Sequence, residues 1–186
     1  MGSLSLGTTP IAGLLEIMSE PVRDARGSFR RVFEPELFAR VAPGAGVAQV
    51  NVSRTSRRGT VRGLHYQRPP AAEAKLVRCL RGRVFDVAVD LRAGSATFLQ
   101  WHARELDGEG EVALLIPPGV AHGFQALSDD VELLYVHSER WQPELEGGVR
   151  FDDPAVAVAW PLPPEGLSQR DLAFAPLSAA FAGVVA

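Results

Sequence analysis

The chain has 186 residues, of which 46% are hydrophobic and 22% are charged, and its formal net charge is −3. This composition is that of an ordinary globular domain and excludes an intrinsically disordered or collagen-like chain. The slight negative charge gives no general reason to expect nucleic acid as a partner, so a phosphate group would have to be bound by a local cluster of basic residues.

The sequence predicts neither a secretion leader nor a membrane segment. No run approaches the roughly 18 to 20 apolar residues that a membrane helix needs, and the N-terminal residues lack a basic leader followed by an apolar stretch. Cys79 is the only cysteine, so an internal disulfide is excluded and a buried thiol is predicted. These features are compatible with a reducing cytoplasm, and we expect a cytoplasmic protein.

The first predicted element is a short helix at 34–41, with Pro35 and two acidic residues in its first turn. Eight β-strands follow, because short runs rich in Val, Leu, Phe and Thr alternate with Gly, Pro and Asp clusters. They cover 47–54, 60–67, 75–81, 83–91, 98–106, 111–116, 121–127 and 131–138. The Ala-rich tail after Pro176 predicts a second helix.

These elements predict one all-β domain over 1–186, since neither an internal repeat nor a long linker divides them. Its core covers about 20–160, and its helical tail about 166–186. In the strand at 83–91, the odd positions from Phe85 to Leu91 form an apolar face, and Asp86 and Asp90 lie on the other. That alternation predicts a half-buried strand in a sandwich or barrel.

Metal binding is the first hypothesis for an all-β domain with four histidines, His65, His102, His122 and His137. A metal site of the cupin type takes two histidines one residue apart, a carboxylate and a later histidine, but here the first cluster reads His65-Tyr66-Gln67. The segment from Pro117 to His122 does match a cupin Pro-x-Gly-x-x-His strand entry. We therefore expect a cupin-like fold without a metal, and a metal-dependent cupin oxygenase or isomerase stays as an alternative.

Several ordered motifs carry a resemblance to a known family. Residues 62–67 read Arg-Gly-Leu-His-Tyr-Gln, and residues 75–78 read Lys-Leu-Val-Arg. Further matches lie at 24–27, 84–90, 94–98, 116–124 and 134–135. From about residue 20 to 175 the chain thus resembles the dTDP-4-dehydrorhamnose 3,5-epimerase family. The resemblance implies a cupin-like jelly roll with short peripheral helices, a homodimer, a dTDP-linked 4-keto-6-deoxyhexose as substrate, and no cofactor.

The resemblance also assigns the catalytic residues. It places the general base at His65, the carboxylate that orients this base at Asp171, the general acid at Tyr135 on the opposite face of the sugar, and a lysine near the sugar carbonyl at Lys75. Read alone, these would be a core histidine, a helix-start carboxylate, a packing tyrosine and a surface lysine. The implied substrate-binding residues are Arg26, Gln49, Asn51, Arg62, His122 and Trp141.

The chemistry explains why an acid, a base and a cation are needed together. A ketone at C4 makes the hydrogens at C3 and C5 removable, because the carbanion that forms delocalises onto oxygen as an enolate. One group removes a proton from one face, another returns a proton from the opposite face, and a cation stabilises the oxygen. This sequence of steps requires neither a redox cofactor nor a metal.

The match departs from the family pattern at a few positions. Val136 and His137 follow the tyrosine where many relatives have lysine next, Arg140-Trp141 replaces a common Tyr-Tyr pair, and Arg31 stands where many relatives have glutamate. Retention of both His65 and Tyr135 favours epimerisation at C3 and C5. The alternatives are a mono-epimerase acting at C3 or C5 only, a nucleotide-sugar ketoisomerase, and a non-catalytic carbohydrate-binding jelly roll.

Overall fold

The structure, a computed structural model, describes residues 3–185. Within that range it contains thirteen β-strands and two short α-helices. In chain order they are β1 (Leu4–Thr8), β2 (Leu15–Ser19), β3 (Val22–Asp24), β4 (Gly27–Phe29), α1 (Glu36–Ala39), β5 (Gln49–Thr55), β6 (Val61–Gln67), β7 (Lys75–Arg81), β8 (Arg83–Asp90), β9 (Trp101–Asp107), β10 (Val112–Ile116), β11 (Val120–Ala126), β12 (Val131–His137), β13 (Glu146–Gly148) and α2 (Gln169–Ala173).

Most strands belong to two antiparallel sheets. The six-stranded sheet has the order β1-β2-β10-β7-β12-β5, the five-stranded sheet has the order β13-β6-β11-β8-β9, and β3 and β4 form a separate hairpin. Many neighbours in space are distant in sequence, because the chain crosses repeatedly from one sheet to the other. This arrangement is that of a cupin-like jelly roll and confirms the predicted all-β fold class.

The main core lies between the two sheets. Val77 and Leu133 from the six-stranded sheet pack there with Val84 and Phe124 from the five-stranded sheet, and all four are fully or almost fully buried. Cys79 belongs to the same cluster, so the predicted buried thiol is confirmed, and burial raises its pKa to about 12. An apolar layer of this kind holds the facing strands at a constant separation.

All eight predicted strands occur, as β5 to β12, with ends shifted by at most a few residues. The five further strands have only three to five residues each, too few for alternation to stand out from the surrounding sequence. Likewise, α1 is shorter than the predicted helix at 34–41. Within residues 3–185 no helix is long and apolar enough to cross a membrane.

The prediction that 83–91 is half-buried is wrong, since both faces of β8 are covered. Val87 and Val89 pack beneath the C-terminal segment, which brings Phe181 and Val184 against this outer face. Asp86 on the other face points between the sheets and is fully buried. The alternation was read correctly, but its polar side faces the interior instead of solvent.

The predicted helix after Pro176 is also wrong for the part of the tail up to residue 185, and residue 186 lies outside the described residues. The N–H of Val184 donates to the carbonyl of Leu91 at 2.7 Å, and its carbonyl accepts from the N–H of Ala93 at 2.9 Å. The Phe181 ring also stacks on Phe98. These contacts with the sheet replace the local hydrogen bonds that a helix would make, and the short α2 lies before Pro176 instead.

Candidate active site

A cavity of about 280 Å³ opens between the sheets. Seven of the predicted site residues line it: Asn51, Arg62, His65, Lys75, His122, Tyr135 and Trp141. Strand alternation explains why two of them, Lys75 and Tyr135, point into it. Val77 and Leu133 face the core, and two residues along each strand Lys75 and Tyr135 face the same way. The cavity and the core are thus lined by the same inward faces of these strands, with polar residues at the cavity and apolar residues at the core.

His65 and Asp171 form a hydrogen-bonded pair beside the cavity, in which the carboxylate is buried and the imidazole is partly exposed. The Nε2 atom of His65 lies 2.7 Å from Oδ1 of Asp171, whose side chain is 4% exposed. Burial raises the pKa of the Asp171 carboxyl, but the hydrogen bond and charge of His65, with the hydrogen bond of Ser168, bring that pKa below its usual value. Because the carboxylate is ionised, Nε2–H must be the donor. In the neutral ring the lone pair is therefore on Nδ1.

Ser168 and α2 position the carboxylate. Ser168 is the N-cap of α2, and its Oγ accepts from the backbone N–H of Asp171 at 3.0 Å. The cap fixes the start of α2, and Asp171 in its first turn contacts His65 on β6. A serine three residues before an aspartate is a typical N-terminal helix pattern, and here it also orients a functional group.

Arg170 is a site residue that the sequence analysis missed. Its Nη2 lies 3.2 Å from Nε2 of His65, and its Nη1 lies 2.7 Å from Oε2 of Glu146. Since Nε2 already donates its proton to Asp171, it has no lone pair for Arg170, and the contact places a positive charge beside the ring instead of making a hydrogen bond. Its position next to Asp171 in the sequence was the only signal for it.

Lys75 is buried with a counter-ion that the sequence analysis also missed. Its Nζ lies 2.7 Å from Oε1 of Glu73, and Oε2 of the same carboxylate lies 2.7 Å from Nδ1 of His137. The side chains of Lys75 and Glu73 are only 7% and 8% exposed. Burial raises the pKa of Glu73, but Lys75 and His137 outweigh it and lower that pKa to about 2. Lys75 is thus no solvated surface lysine.

His122 and Asp86 form a second histidine–carboxylate pair, in which both side chains are buried. The Nε2 atom of His122 lies 2.9 Å and 3.0 Å from the two carboxylate oxygens of Asp86. His122 faces the cavity beside Tyr135, with ring centroids 5.9 Å apart and an interplanar angle of 71°. Asp86, assigned to a solvent face from sequence, is therefore a buried partner of a site histidine.

Tyr135 faces His65 across the cavity from the other sheet. Burial and the nearby Asp86 carboxylate raise the pKa of its phenol well above the usual value, so the hydroxyl keeps its proton at neutral pH. His65 stands on β6 in the five-stranded sheet and Tyr135 on β12 in the six-stranded sheet. The site thus has a proton acceptor on one wall and a proton donor on the other.

The predicted substrate-binding residues divide into those at the cavity and those away from it. Asn51, Arg62 and the half-exposed Trp141 line it. Gln49 does not; its Oε1 accepts from the backbone N–H of Trp141 at 3.0 Å and so holds that loop in place. Arg26 does not line the cavity either, because it lies in the exposed β3–β4 hairpin, paired with Asp24 at 2.6 Å.

The four histidines make separate contacts and do not meet at one point. Among residues 3–185, no group of three or more His, Cys, Asp or Glu is arranged to hold a metal ion. His102 lies on β9, away from the cavity and 3.5 Å from Glu16. Gln67, at the position of the missing cupin ligand, donates to the carbonyl of Ala71 and accepts from the N–H of Gln142. The described residues therefore offer no shared ligand set.

Comparison with known proteins points to one family. A family model described as dTDP-4-dehydrorhamnose 3,5-epimerase matches residues 8–179. The dTDP-4-dehydrorhamnose 3,5-epimerase of Sinorhizobium fredii is 44% identical over 138 residues, covering 74% of this chain and 71% of that protein. The dTDP-4-dehydrorhamnose 3-epimerase of Streptomyces niveus is 41% identical over 162 residues, covering 87% of this chain and 78% of that protein.

A solved structure extends the similarity to the fold. The dTDP-6-deoxy-D-glucose-3,5-epimerase of Legionella pneumophila, in complex with dTDP-4-keto-L-rhamnose, superposes with a TM-score of 0.84 at 38% sequence identity. The alignment covers 92% of this chain and 91% of that one. The region matched by the family model includes His65, Lys75, Tyr135 and Asp171.

Proposed function

Since the chain belongs to the dTDP-4-dehydrorhamnose 3,5-epimerase family, we propose that it epimerises dTDP-4-keto-6-deoxyglucose at C3 and C5 to give dTDP-4-keto-L-rhamnose. The observation that carries the proposal is the pair of proton-transfer groups on opposite walls of one cavity, His65 with its buried Asp171 partner and the protonated Tyr135. A site that only bound a sugar would have no use for an acid and a base facing each other.

His65 acts as the base. Its Nδ1 lone pair takes the proton from C3 or C5, while Nε2–H stays bonded to Asp171. The imidazolium that forms lies beside a buried carboxylate, and this negative charge stabilises it. General base catalysis by a positioned group contributes roughly 10² to 10⁴ in rate.

Lys75 and His122 stabilise the enolate. The negative charge that develops on the C4 oxygen needs a cation or hydrogen-bond donors, and the buried ammonium of Lys75 supplies positive charge where water is largely excluded. Electrostatic interactions are stronger in such a site than in bulk water. Both residues line the cavity, so the two can act on the same oxygen.

Tyr135 acts as the acid. Return of a proton by His65 would regenerate the starting configuration, so inversion requires a donor on the other face of the sugar. Tyr135 comes from the opposite sheet and keeps its phenolic proton at neutral pH. Neither this step nor the others uses a metal or a redox cofactor.

The nucleotide is held at the open side of the cavity. Arg62 and Arg170 both line the cavity and the adjoining cleft beside His65, and guanidinium groups suit a diphosphate. Asn51 offers hydrogen bonds, and Trp141 is 54% exposed and available for stacking on the thymine base. Gln49 contributes indirectly by fixing the loop that carries Trp141.

The working form is a homodimer in the cytoplasm. The β3–β4 hairpin exposes Phe29 at 63%, and the edge strand β5 exposes Val50 at 56% and Val52 at 59%. A twofold dimer would cover such apolar surface. The hairpin would then carry Arg26 to the substrate of the neighbouring site, which explains why Arg26 is remote from the cavity of its own chain.

A second candidate is epimerisation at one carbon only, with C3 first. It is favoured by the similarity to the Streptomyces niveus protein named a dTDP-4-dehydrorhamnose 3-epimerase. The same acid, base and cation serve both reactions, so the catalytic set does not distinguish them. The number of inverted carbons depends on how long the enolate is held and how the sugar turns in the cavity.

The test is NMR of dTDP-4-keto-6-deoxyglucose incubated with the protein in D₂O. Deuterium with inversion at C3 and C5 is the expected result, and deuterium with inversion at one carbon identifies a mono-epimerase. His65→Ala should abolish exchange at both carbons with the fold intact, and Tyr135→Phe should allow exchange but stall inversion. Binding without any exchange would refute the epimerase proposal in favour of a carbohydrate-binding jelly roll.

A further inference from the structure

His137 lines the cavity but has no part in the mechanism above. Its side chain is 13% exposed, and its Nδ1 lies 2.7 Å from Oε2 of Glu73. Its ring also stacks on Tyr135, with centroids 5.8 Å apart and an interplanar angle of 16°. One residue thus contacts both the counter-ion of the lysine and the ring of the acid.

The contact with Glu73 affects the charge that Lys75 offers to a substrate. Each carboxylate oxygen of Glu73 has its own partner, Lys75 at Oε1 and His137 at Oε2. An ammonium group has three N–H donors, so a single contact with Oε1 leaves others for the cavity. Without His137, both oxygens of Glu73 would be available to Lys75 and would neutralise it more completely.

The contact with Tyr135 affects the position of the proton donor. The Tyr135 ring lies between His137, stacked on its face, and His122, which meets it edge-on at 71°. Two such contacts restrict rotation of the phenol ring, which must keep its hydroxyl directed at the carbon opposite His65. Aromatic pairs of this kind stabilise a fixed ring orientation.

The register of the sheet brings these contacts together. His137 on β12 is the direct partner of Lys75 on β7, and Tyr135 lies two residues earlier on the same face of β12. A shift of one residue would turn His137 out of the cavity. The contacts of His137 with Glu73 and Tyr135 therefore depend on the antiparallel pairing of β7 with β12.

We propose that His137 is a positioning residue that couples the enolate-stabilising cation to the acid, by binding Glu73 through Nδ1 and stacking its ring on Tyr135. The inference rests on the proposed epimerase function and deepens it. It assigns to His137 two separable contributions, a hydrogen-bond donor that acts on Lys75 and an aromatic face that acts on Tyr135.

Two substitutions separate these contributions. His137→Phe keeps the aromatic face but removes the donor, and kcat should fall about tenfold with KM nearly unchanged, because the lost interaction acts on the enolate. His137→Asn keeps a donor near the Nδ1 position but removes the ring. Proton abstraction should then continue while inversion slows, so the ratio of deuterium exchange to inversion in D₂O should rise several-fold.

The matched controls are His102→Phe and His102→Asn, since His102 lies on β9 outside the cavity, and both should keep wild-type rates and ratios. Glu73→Gln provides a second test. If His137 acts on Lys75 through Glu73, adding His137→Phe to Glu73→Gln should lower kcat by less than about twofold more. Thermal denaturation shows which variants are folded. If His137→Asn is not folded, the pair of His137→Phe with Glu73→Gln still tests the donor, and if His137→Phe is not folded, the exchange-to-inversion ratio of His137→Asn still tests the ring.

The outcomes distinguish this inference from the function on which it rests. A wild-type protein that neither exchanges nor inverts the 4-keto sugar refutes the proposed function. An active wild type whose folded His137→Phe and His137→Asn variants keep its kcat and its exchange-to-inversion ratio, each within about twofold, overturns the role of His137 and leaves the epimerase proposal intact.

Discussion

Replacing Asp171 by Asn should reduce epimerisation sharply while preserving the fold. Asn has nearly the same shape as Asp, but it lacks the charge that stabilises protonated His65 across 2.7 Å in a site where the carboxylate is 4% exposed. A hydrogen bond to a charged group contributes roughly 1.5–3 kcal/mol. Lost from the transition state, that energy corresponds to a fall in kcat of about 10- to 150-fold.

The amide introduced by Asp171→Asn should lower kcat in a second way. Its NH₂ group donates where the carboxylate accepted, which favours the His65 tautomer that has its proton on Nδ1 and its lone pair on Nε2. The base would then present an N–H to the sugar. The measured fall in kcat should therefore lie towards the upper end of the range of about 10- to 150-fold.

The assay is the initial rate of deuterium incorporation at C3 and C5 of the 4-keto sugar in D₂O, measured over a range of substrate concentrations. The loss should appear in kcat more than in KM, because the dyad acts on the transition state. Asp152→Asn is the matched control, since Asp152 is a half-exposed surface carboxylate paired with Arg150. A folded Asp171→Asn variant with kcat within about twofold of wild type would show that the Asp171 charge does not stabilise protonated His65.

Three further predictions concern stability and nucleotide binding. Because the pKa of Glu73 falls from 4.5 to about 2 on folding, its carboxylate stabilises the fold above about pH 5 by about 3 kcal/mol. This contribution should disappear as pH falls from about 4.5 towards 2, and Glu73→Gln should flatten that part of a urea-denaturation pH profile. Gly63→Ala should destabilise the fold by more than about 2 kcal/mol, because φ is +117° and a Cβ would lie 2.5 Å from Cα of Gly123. Gly94→Ala is the control, because a Cβ there would meet no atom within 4 Å, and a thermal melt should show a smaller loss of stability. Trp141→Ala should raise KM about 5- to 150-fold through lost base stacking while Trp141→Phe keeps it near wild type, and equal KM values would exclude stacking.

Patterns among neighbouring residues predicted most strands of the two sheets, but not how the C-terminal tail packs on them. The strands from β5 to β12 were predictable because alternation and turn residues are properties of neighbouring positions. The tail after Pro176 was predicted as a helix from its alanines, but bonds from Val184 to the sheet outcompete that local preference. The same tail covers the apolar outer face of β8, while Asp86 on the opposite face lies buried in the interior.

The site also combines residues that the sequence predicted with contacts that it did not predict. The motifs around His65, Lys75 and Tyr135 assign the chemistry, since they contain the residue types that proton transfer next to a ketone needs. Nothing in them indicated that Glu73 lies between Lys75 and His137, because that contact depends on the register of β7 with β12. Arg170 was missed for a similar reason, since it approaches His65 only after α2 docks beside β6.

Most strands, the family and the proposed acid and base followed from the sequence alone, because each depends on short stretches of neighbouring residues. The family resemblance had already paired Asp171 with His65, but Asp86 as the partner of His122 became evident only from the tertiary structure. Asp171 lies 106 positions from His65, and Asp86 lies 36 positions from His122. Pairs so distant along the chain are brought together by the crossing of strands between two sheets and by burial, because a buried charged group is stable only beside a compensating partner.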